Sequence, residues 1–91
     1  MRGSQDKAFK TRLKQLIVTE CDVELDMEID EIDDDAPLFG PDAELGLDSI
    51  DGFQMAIAIQ NNFGIKITDG KEMRRVMASI NTLADFLQPN E

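Results

Sequence analysis

The sequence predicts an all-α fold: four helices, one of them short, around a single core of leucine, isoleucine and phenylalanine. Three observations carry this. Apolar residues recur at helical spacing in separate stretches. Capping residues stand ahead of several of those stretches. The one stretch with strand-like alternation has no second strand to pair with, and a lone strand is not stable. Ninety-one residues suit one domain over 1–91 and are too few for two independent cores.

The first helix is predicted over about Gln5 to Thr19. Phe9, Leu13, Leu16 and Ile17 fall at i, i+4, i+7 and i+8, while Lys7, Lys10, Arg12 and Lys14 take the opposite face. The opening Met1-Arg2-Gly3-Ser4 is expected to be disordered or a cloning remnant.

Residues 21–47 resist a simple assignment. Val23, Leu25, Met27 and Ile29 alternate with acids in a period of two, which suggests a strand. Pro37, Gly40, Pro41 and Gly46 punctuate the rest, so a long ordered loop is expected, with Leu38 and Phe39 plugged into the core. A connection of that length is unusual in a small bundle unless it has a role.

The second helix is predicted from Ser49 to Asn62. Asp48 is a good N-cap, and Asp51 sits in the first turn, where negative charge is favoured. Ile50, Phe53 and Ile57 are read as the core stripe, widened by Met55, Ala56, Ala58 and Ile59. The helix is thus apolar on most of its circumference, and one apolar side is expected to face a cavity or a partner. Asn62-Phe63-Gly64 ends it, with Gly64 in the left-handed region.

Ile65 and Ile67 point inward from an extended segment. A short third helix is predicted over Asp69 to Met77, with Asp69 and Glu72 spaced as a capping box. The last is expected over about Asn81 to Gln88, with Ile80, Leu83, Ala84 and Leu87 on one face and Pro89 closing it.

The composition, 42% hydrophobic and 31% charged, is that of a soluble domain. No apolar run approaches the roughly 20 residues of a membrane span. The net charge of −10 is uneven: residues 20–51 hold 14 of the 19 acids and no Lys or Arg. Such a field repels nucleic acid and anionic lipid and attracts basic proteins.

Histidine is absent, which removes the commonest general base and metal ligand. Cys21 is the one cysteine; it excludes an internal disulfide, fits a reducing cytoplasm, and without a histidine partner reads as a bystander. An EF-hand loop begun at Asp26 puts Glu31 at position 6 and Pro37 at position 12, and one begun at Asp30 puts Asp35 and Pro41 there. Both registers fail. Clustered carboxylates are left with weak divalent-cation binding at most, and no specific metal site is expected.

Asp48 and Asp51 flank Ser49 but are expected to cap the helix in solvent, where nothing raises a carboxylate pKa towards that of a useful base. With Asp48 capping, the Ser49 hydroxyl is free at the first helical position. Backbone N–H groups and the helix dipole there favour an attached phosphate. The chain therefore reads as a carrier on which enzymes work, and not as an enzyme.

Leu45-Gly46-Leu47-Asp48-Ser49-Ile50-Asp51 resembles the acyl carrier protein family, whose pattern is Leu-Gly-x-Asp-Ser-Leu followed by an acid. Phe63 closing helix two, Ile67 beyond it and Asp69 opening the short helix agree, so the resemblance spans essentially the whole chain. It implies a four-helix bundle with a long first loop. It also implies that a phosphopantetheinyl transferase moves 4′-phosphopantetheine from coenzyme A onto Ser49 Oγ, forming a phosphodiester. The arm's thiol then carries acyl groups as thioesters in fatty acid, lipid or polyketide biosynthesis.

Partners with basic faces are expected to recognise Asp51, Ile50 and Leu47, and the domain to be monomeric. Met55, Ile59, Ile67, Met73 and Met77 are candidates for an acyl lining, since adaptable methionines suit a cavity that opens on demand.

Fatty-acid carriers bear several acids along helix two. Here none follows Asp51 until Asp69, while Lys71, Arg74 and Arg75 add positive charge near helix three. That departure points to a specialised carrier. Two other readings stay open at this stage: a carrier of aminoacyl or peptidyl groups, whose pattern is more often Gly-Gly-x-Ser, and an acidic interaction module with no covalent change at Ser49.

Overall fold

A computed structural model describes residues 2–24, 27–40, 43 and 45–88. Four helices form: α1 (Lys7–Glu20), α2 (Ser49–Phe63), α3 (Gly70–Val76) and α4 (Ile80–Leu87). Two 3-10 turns, Gly3–Gln5 and Ile29–Glu31, lie before α1 and inside the long loop. Helix α1 packs on α4 and α2, and α2 also packs on α3. The described residues contain no sheet, only one parallel bridge between Phe39 and Leu47. The all-α bundle with a long first loop is the architecture expected.

Each helix begins where a short polar side chain takes up orphan N–H groups. Asp6 accepts from Phe9 N at 3.1 Å, and Asp69 Oδ1 accepts from Lys71 N at 2.9 Å. Ser79 Oγ accepts from Thr82 N at 3.1 Å, so α4 starts one residue earlier than predicted. Gly64 closes α2 at φ 69°, in the left-handed region as predicted. Leu25, Pro41 and Pro89 lie outside the described residues.

The core is Leu13 and Ile17 of α1, Met55 and Ile59 of α2, Val76 and Met77 around the end of α3, and Ile80 and Leu83 of α4. Loop residues Ile32, Leu38, Leu45 and Leu47 complete it. Phe63 binds the end of α2 to α1: its ring meets Phe9 edge-to-face at 5.9 Å, and the Arg12 guanidinium lies 5.1 Å from its centroid.

Three expectations are corrected. Ile50, Phe53 and Ile57 are not the core stripe of α2; they are 69%, 67% and 45% exposed, and Met55, Ala58 and Ile59 are buried instead. An all-round apolar helix offers two candidate faces, and neighbours in space decide between them. Lys14 does not take a solvated face. It is buried, and its ammonium lies 2.8 Å from Asp34 Oδ1, while Lys10 reaches Oδ2 at the same distance.

Segment 23–29, whose alternation suggested a strand, is loop as expected: Val23 N bonds back to Val18 O and Ile29 opens a 3-10 turn. Residues 2–4 are not disordered. Gly3 is buried, donating from its N–H to Gln88 O at 2.8 Å, and Ser4 N donates to Asp85 Oδ1 at 2.9 Å.

The acids of the loop have structural tasks. Asp34 joins α1 through its two lysines, and Asn81 N of α4 donates to its carbonyl at 2.9 Å. Asp30 accepts from Thr11 Oγ1, Asp35 from Asn81 Nδ2, and Asp33 from Asp35 N. Among the described residues no group of three carboxylates is placed to hold a cation. Asp26 lies outside the described residues.

Candidate functional site: Ser49 and the groove between α2 and α3

Ser49 owes its position to the residues around it. Leu45 and Leu47 are buried on either side of Gly46, whose φ of 58° turns the chain with little strain only because it lacks a Cβ. Leu47 is pinned through its backbone: its N–H donates to Leu38 O at 3.0 Å, and Gly40 N donates to its carbonyl at 3.1 Å. With Leu47 inserted, Asp48 falls at the N-cap and Ser49 emerges exposed as the first residue of α2.

The cap is a full capping box. Asp48 Oδ1 accepts from Ile50 N and Asp51 N, both at 3.0 Å, and Asp51 Oδ2 accepts from Asp48 N at 3.0 Å. This revises the electrostatic expectation for the serine. The N–H groups of Ile50 and Asp51 are already taken, and two carboxylates flank the position. The helix dipole remains a local attraction. Both carboxylates are committed to backbone donors, so neither is poised as a base for Ser49. No hydrogen bond engages the Ser49 hydroxyl among the described residues.

Cys21, the C-cap of α1, lies under this start: its Sγ is 3.7 Å from the Asp51 carbonyl, to which it donates. Burial, then the charges of Asp51, Glu20 and Asp48, push its thiol up to about 11. The thiol is therefore protonated at neutral pH. Alkylation of Cys21 at pH 8 is expected to run at least tenfold slower than that of a free thiol, since the thiolate is the nucleophile; a maleimide time course on the unmodified protein checks it.

A groove of about 540 Å³ opens beside Ser49 between α2 and α3, within the range of small-molecule sites. One wall is a single face of α2: Ser49, Phe53, Ala56, Ile57 and Gln60, at i, i+4, i+7, i+8 and i+11. The other comes from α3 and the segment before it, with Ile67 and Met73 as apolar members and Lys66, Lys71 and Arg74 as cations. Phe39 closes the end near Gly52, its ring 6.0 Å beneath the Arg74 guanidinium.

Gly52 is where α2 lets this end form. A Cβ there would meet the Phe39 ring at 3.5 Å and Met73 Cγ at 3.8 Å, ordinary contact distances. Gly52→Ala is accordingly expected to stabilise the domain by about 0.5–1 kcal/mol through helix propensity, read as a higher urea midpoint. A loss of stability would mean that the first turn of α2 is more tightly packed than these distances imply.

The residues anticipated for an acyl lining divide. Ile67 and Met73 line the groove, whereas Met55, Ile59 and Met77 are fully buried in the core and take no part in its walls. Of the residues expected to meet partners, Ile50 is exposed and Asp51 half-buried, but Leu47 is 2% exposed and cannot present a surface. Its burial is the plug that places Ser49. The groove-lining Phe53, Ile57, Lys66 and Lys71 were not anticipated as site residues. The signal was available: Phe53 and Ile57 share a helix face with the serine that has to be exposed.

The arrangement is an exposed hydroxyl at the capped start of a helix, beside a cleft. An exposed hydroxyl without a base stands at one end of a half-open groove whose length along α2, eleven residues from Ser49 to Gln60, is about 16 Å. A pantetheine arm of roughly fourteen bonds spans a similar ~16 Å when extended, taking ~3.4 Å for every three bonds. The residues present fit such a group. A family model described as a phosphopantetheine attachment site matches residues 11–88, and the chain belongs to that family of acyl and peptidyl carrier domains. These domains carry 4′-phosphopantetheine covalently, work with phosphopantetheinyl transferases and acyl-processing enzymes, and are carriers and not catalysts. No curated protein and no solved structure matches the chain significantly. No helix among the described residues is long and apolar enough to cross a membrane.

Proposed function

We propose that Ser49 is the residue that carries the arm, and that the protein moves acyl groups between enzymes of a specialised lipid or polyketide type of biosynthesis. The observation that carries this reading is the exposed, unbonded Ser49 hydroxyl at the capped start of α2, opening directly onto the groove. When attached, the arm supplies a thiol that holds acyl groups as thioesters. The protein's own contribution is placement. Leu45 and Leu47 anchor the turn, Asp48 and Asp51 fix the first turn of α2, and the serine stands clear for a transferase that brings its own base.

Specialisation is supported by the surface of α2. Beyond Asp51 its exposed side is Phe53, Gln54, Ile57, Gln60 and Asn61, apolar and amide, where a fatty-acid carrier would show acids. Partners of this domain therefore read an apolar stripe beside Asp51 more than a row of carboxylates. Cytoplasmic location and a monomeric state belong to the same proposal.

Incubation with coenzyme A, magnesium and a broad-specificity transferase, followed by intact-mass measurement, tests the attachment. One phosphopantetheinyl increment is expected, and Ser49→Ala should abolish it. An unchanged wild-type mass across several transferases, or an increment that survives Ser49→Ala, would overturn the assignment.

A further inference from the structure

The groove carries charge of the opposite sign to the rest of the molecule. In a chain of net charge −10, its walls hold Lys66, Lys71 and Arg74 against one acid, Asp69, a local balance of +2. Asp69 is committed as the N-cap of α3. Among the described residues the ion pairs are those of Asp34 with Lys10 and Lys14, so none of the three groove cations has a carboxylate partner. Cations lining a cleft without counter-charge point to a ligand that brings one.

Their placement says which part of the ligand. The Ser49 end is flanked by Asp48 and Asp51 in the capping box, which repel an anion. Lys66 lies two residues past the Gly64 cap of α2 and lines the groove, as does Gln60 in the last turns of that helix. Lys71, on the first turn of α3, lines the same wall. Between these ends lie the apolar Phe53, Ile57 and Ile67. Arg74 is set apart over the Phe39 ring at the Gly52 end, which leaves Lys66 and Lys71 as the cations that border the apolar bed.

We propose that this groove selects thioester-bound acyl groups that end in a carboxylate, with Lys66 and Lys71 as the cationic contacts and Phe53, Ile57 and Ile67 as the bed for the intervening methylenes. The inference rests on Ser49 carrying the arm and adds the chemical class of its cargo. A purely hydrocarbon chain gains the bed but leaves the cations unanswered. An ω-carboxyacyl chain of equal length satisfies both.

The test loads the protein from octanoyl-coenzyme A and from 7-carboxyheptanoyl-coenzyme A with a broad-specificity transferase, confirms each product by mass, and follows thioester cleavage by hydroxylamine. Each rate is divided by that of the matching free coenzyme A thioester. The carboxylate-ended cargo is expected to be cleaved about three- to fivefold more slowly than octanoyl, the most a solvent-exposed ion pair supplies. The difference should vanish in Lys66→Gln/Lys71→Gln and shrink in high salt, and persist in Arg75→Gln, which lies outside the groove. Equal protection, better protection of octanoyl, or a difference that survives the double substitution would overturn the selectivity while leaving the carrier reading intact. Absence of any mass increment would instead sink the carrier reading, and this inference with it.

Discussion

Leu47→Ala is expected to lower the unfolding free energy by about 2–4 kcal/mol, because it deletes a side chain that is almost wholly buried in the core. In a domain of this size each kcal/mol moves the melting temperature by roughly 4–8 °C, so a fall of about 10–25 °C should be visible. Loading of Ser49 should slow as well, since Leu47 N and O hold the turn that delivers the serine. The comparison that decides its role is Ile50→Ala. Ile50 is exposed, so its truncation should leave stability within about 0.5 kcal/mol. If Leu47→Ala left the melting temperature unchanged and impaired only transfer, the residue would be a recognition contact after all.

Asp34→Ala should have the next largest effect, about 1–3 kcal/mol of destabilisation by urea denaturation. Removing one partner of a buried pair costs roughly 3–5 kcal/mol because a buried charge is left unanswered. Here the value is discounted: Lys14 is buried but the Asp34 side chain is 31% exposed, so water can replace part of the lost partner. Adding Lys14→Met should recover part of the loss by removing the stranded ammonium. If Asp34→Ala were neutral, the loop would not be held by this clamp.

The same residue sets a pH dependence. Burial alone would raise the Asp34 carboxyl, but the hydrogen bonds and charges of Lys10 and Lys14 outweigh it and hold the group below its ordinary 3.8. A depressed acid stabilises the fold fully above its unfolded value, and that contribution fades as pH falls through the folded one. Wild-type stability should therefore decline below about pH 4, and Asp34→Ala should show a shallower acid limb. Asp85, held low by the Ser4 hydrogen bonds, acts in the same direction.

What the sequence disclosed and what it hid divide along physical lines. The starts of α2 and α3 were legible because Asp48 and Asp69 act within three residues of where they sit. The left-handed stop at Gly64 was equally local. Ser79 was harder, since the apolar Ile80 behind it belongs to the core face and not to a recognisable cap sequence. The burial of α2 was hidden because its apolar residues nearly encircle it. The packing of α1 and α3 against α2 settles which stripe remains outside.

The long ordered loop was expected, but the contacts that hold it were hidden. Its order comes from Asp34 and Asp35 reaching α1 and α4, partners some 20 to 46 residues away in the chain, which no local pattern records. At the candidate site, the sequence singled out Ser49, and its exposure at the start of α2 agrees with that reading. Its surroundings were less legible, because the acyl-lining candidates were chosen by residue type: Met55, Ile59 and Met77 lie in the core, while Ile67 and Met73 line the groove.

The capping box has one more effect, on freedom of movement. With the amides of Ile50 and Asp51 spoken for and a carboxylate on either side, a group esterified to Ser49, as proposed, has little beyond the helix's own field to steady its foot. It turns about the several bonds of its phosphodiester. For a shuttle that hands its load from one enzyme to the next, an anchorage that fastens without gripping leaves the arm free to depart.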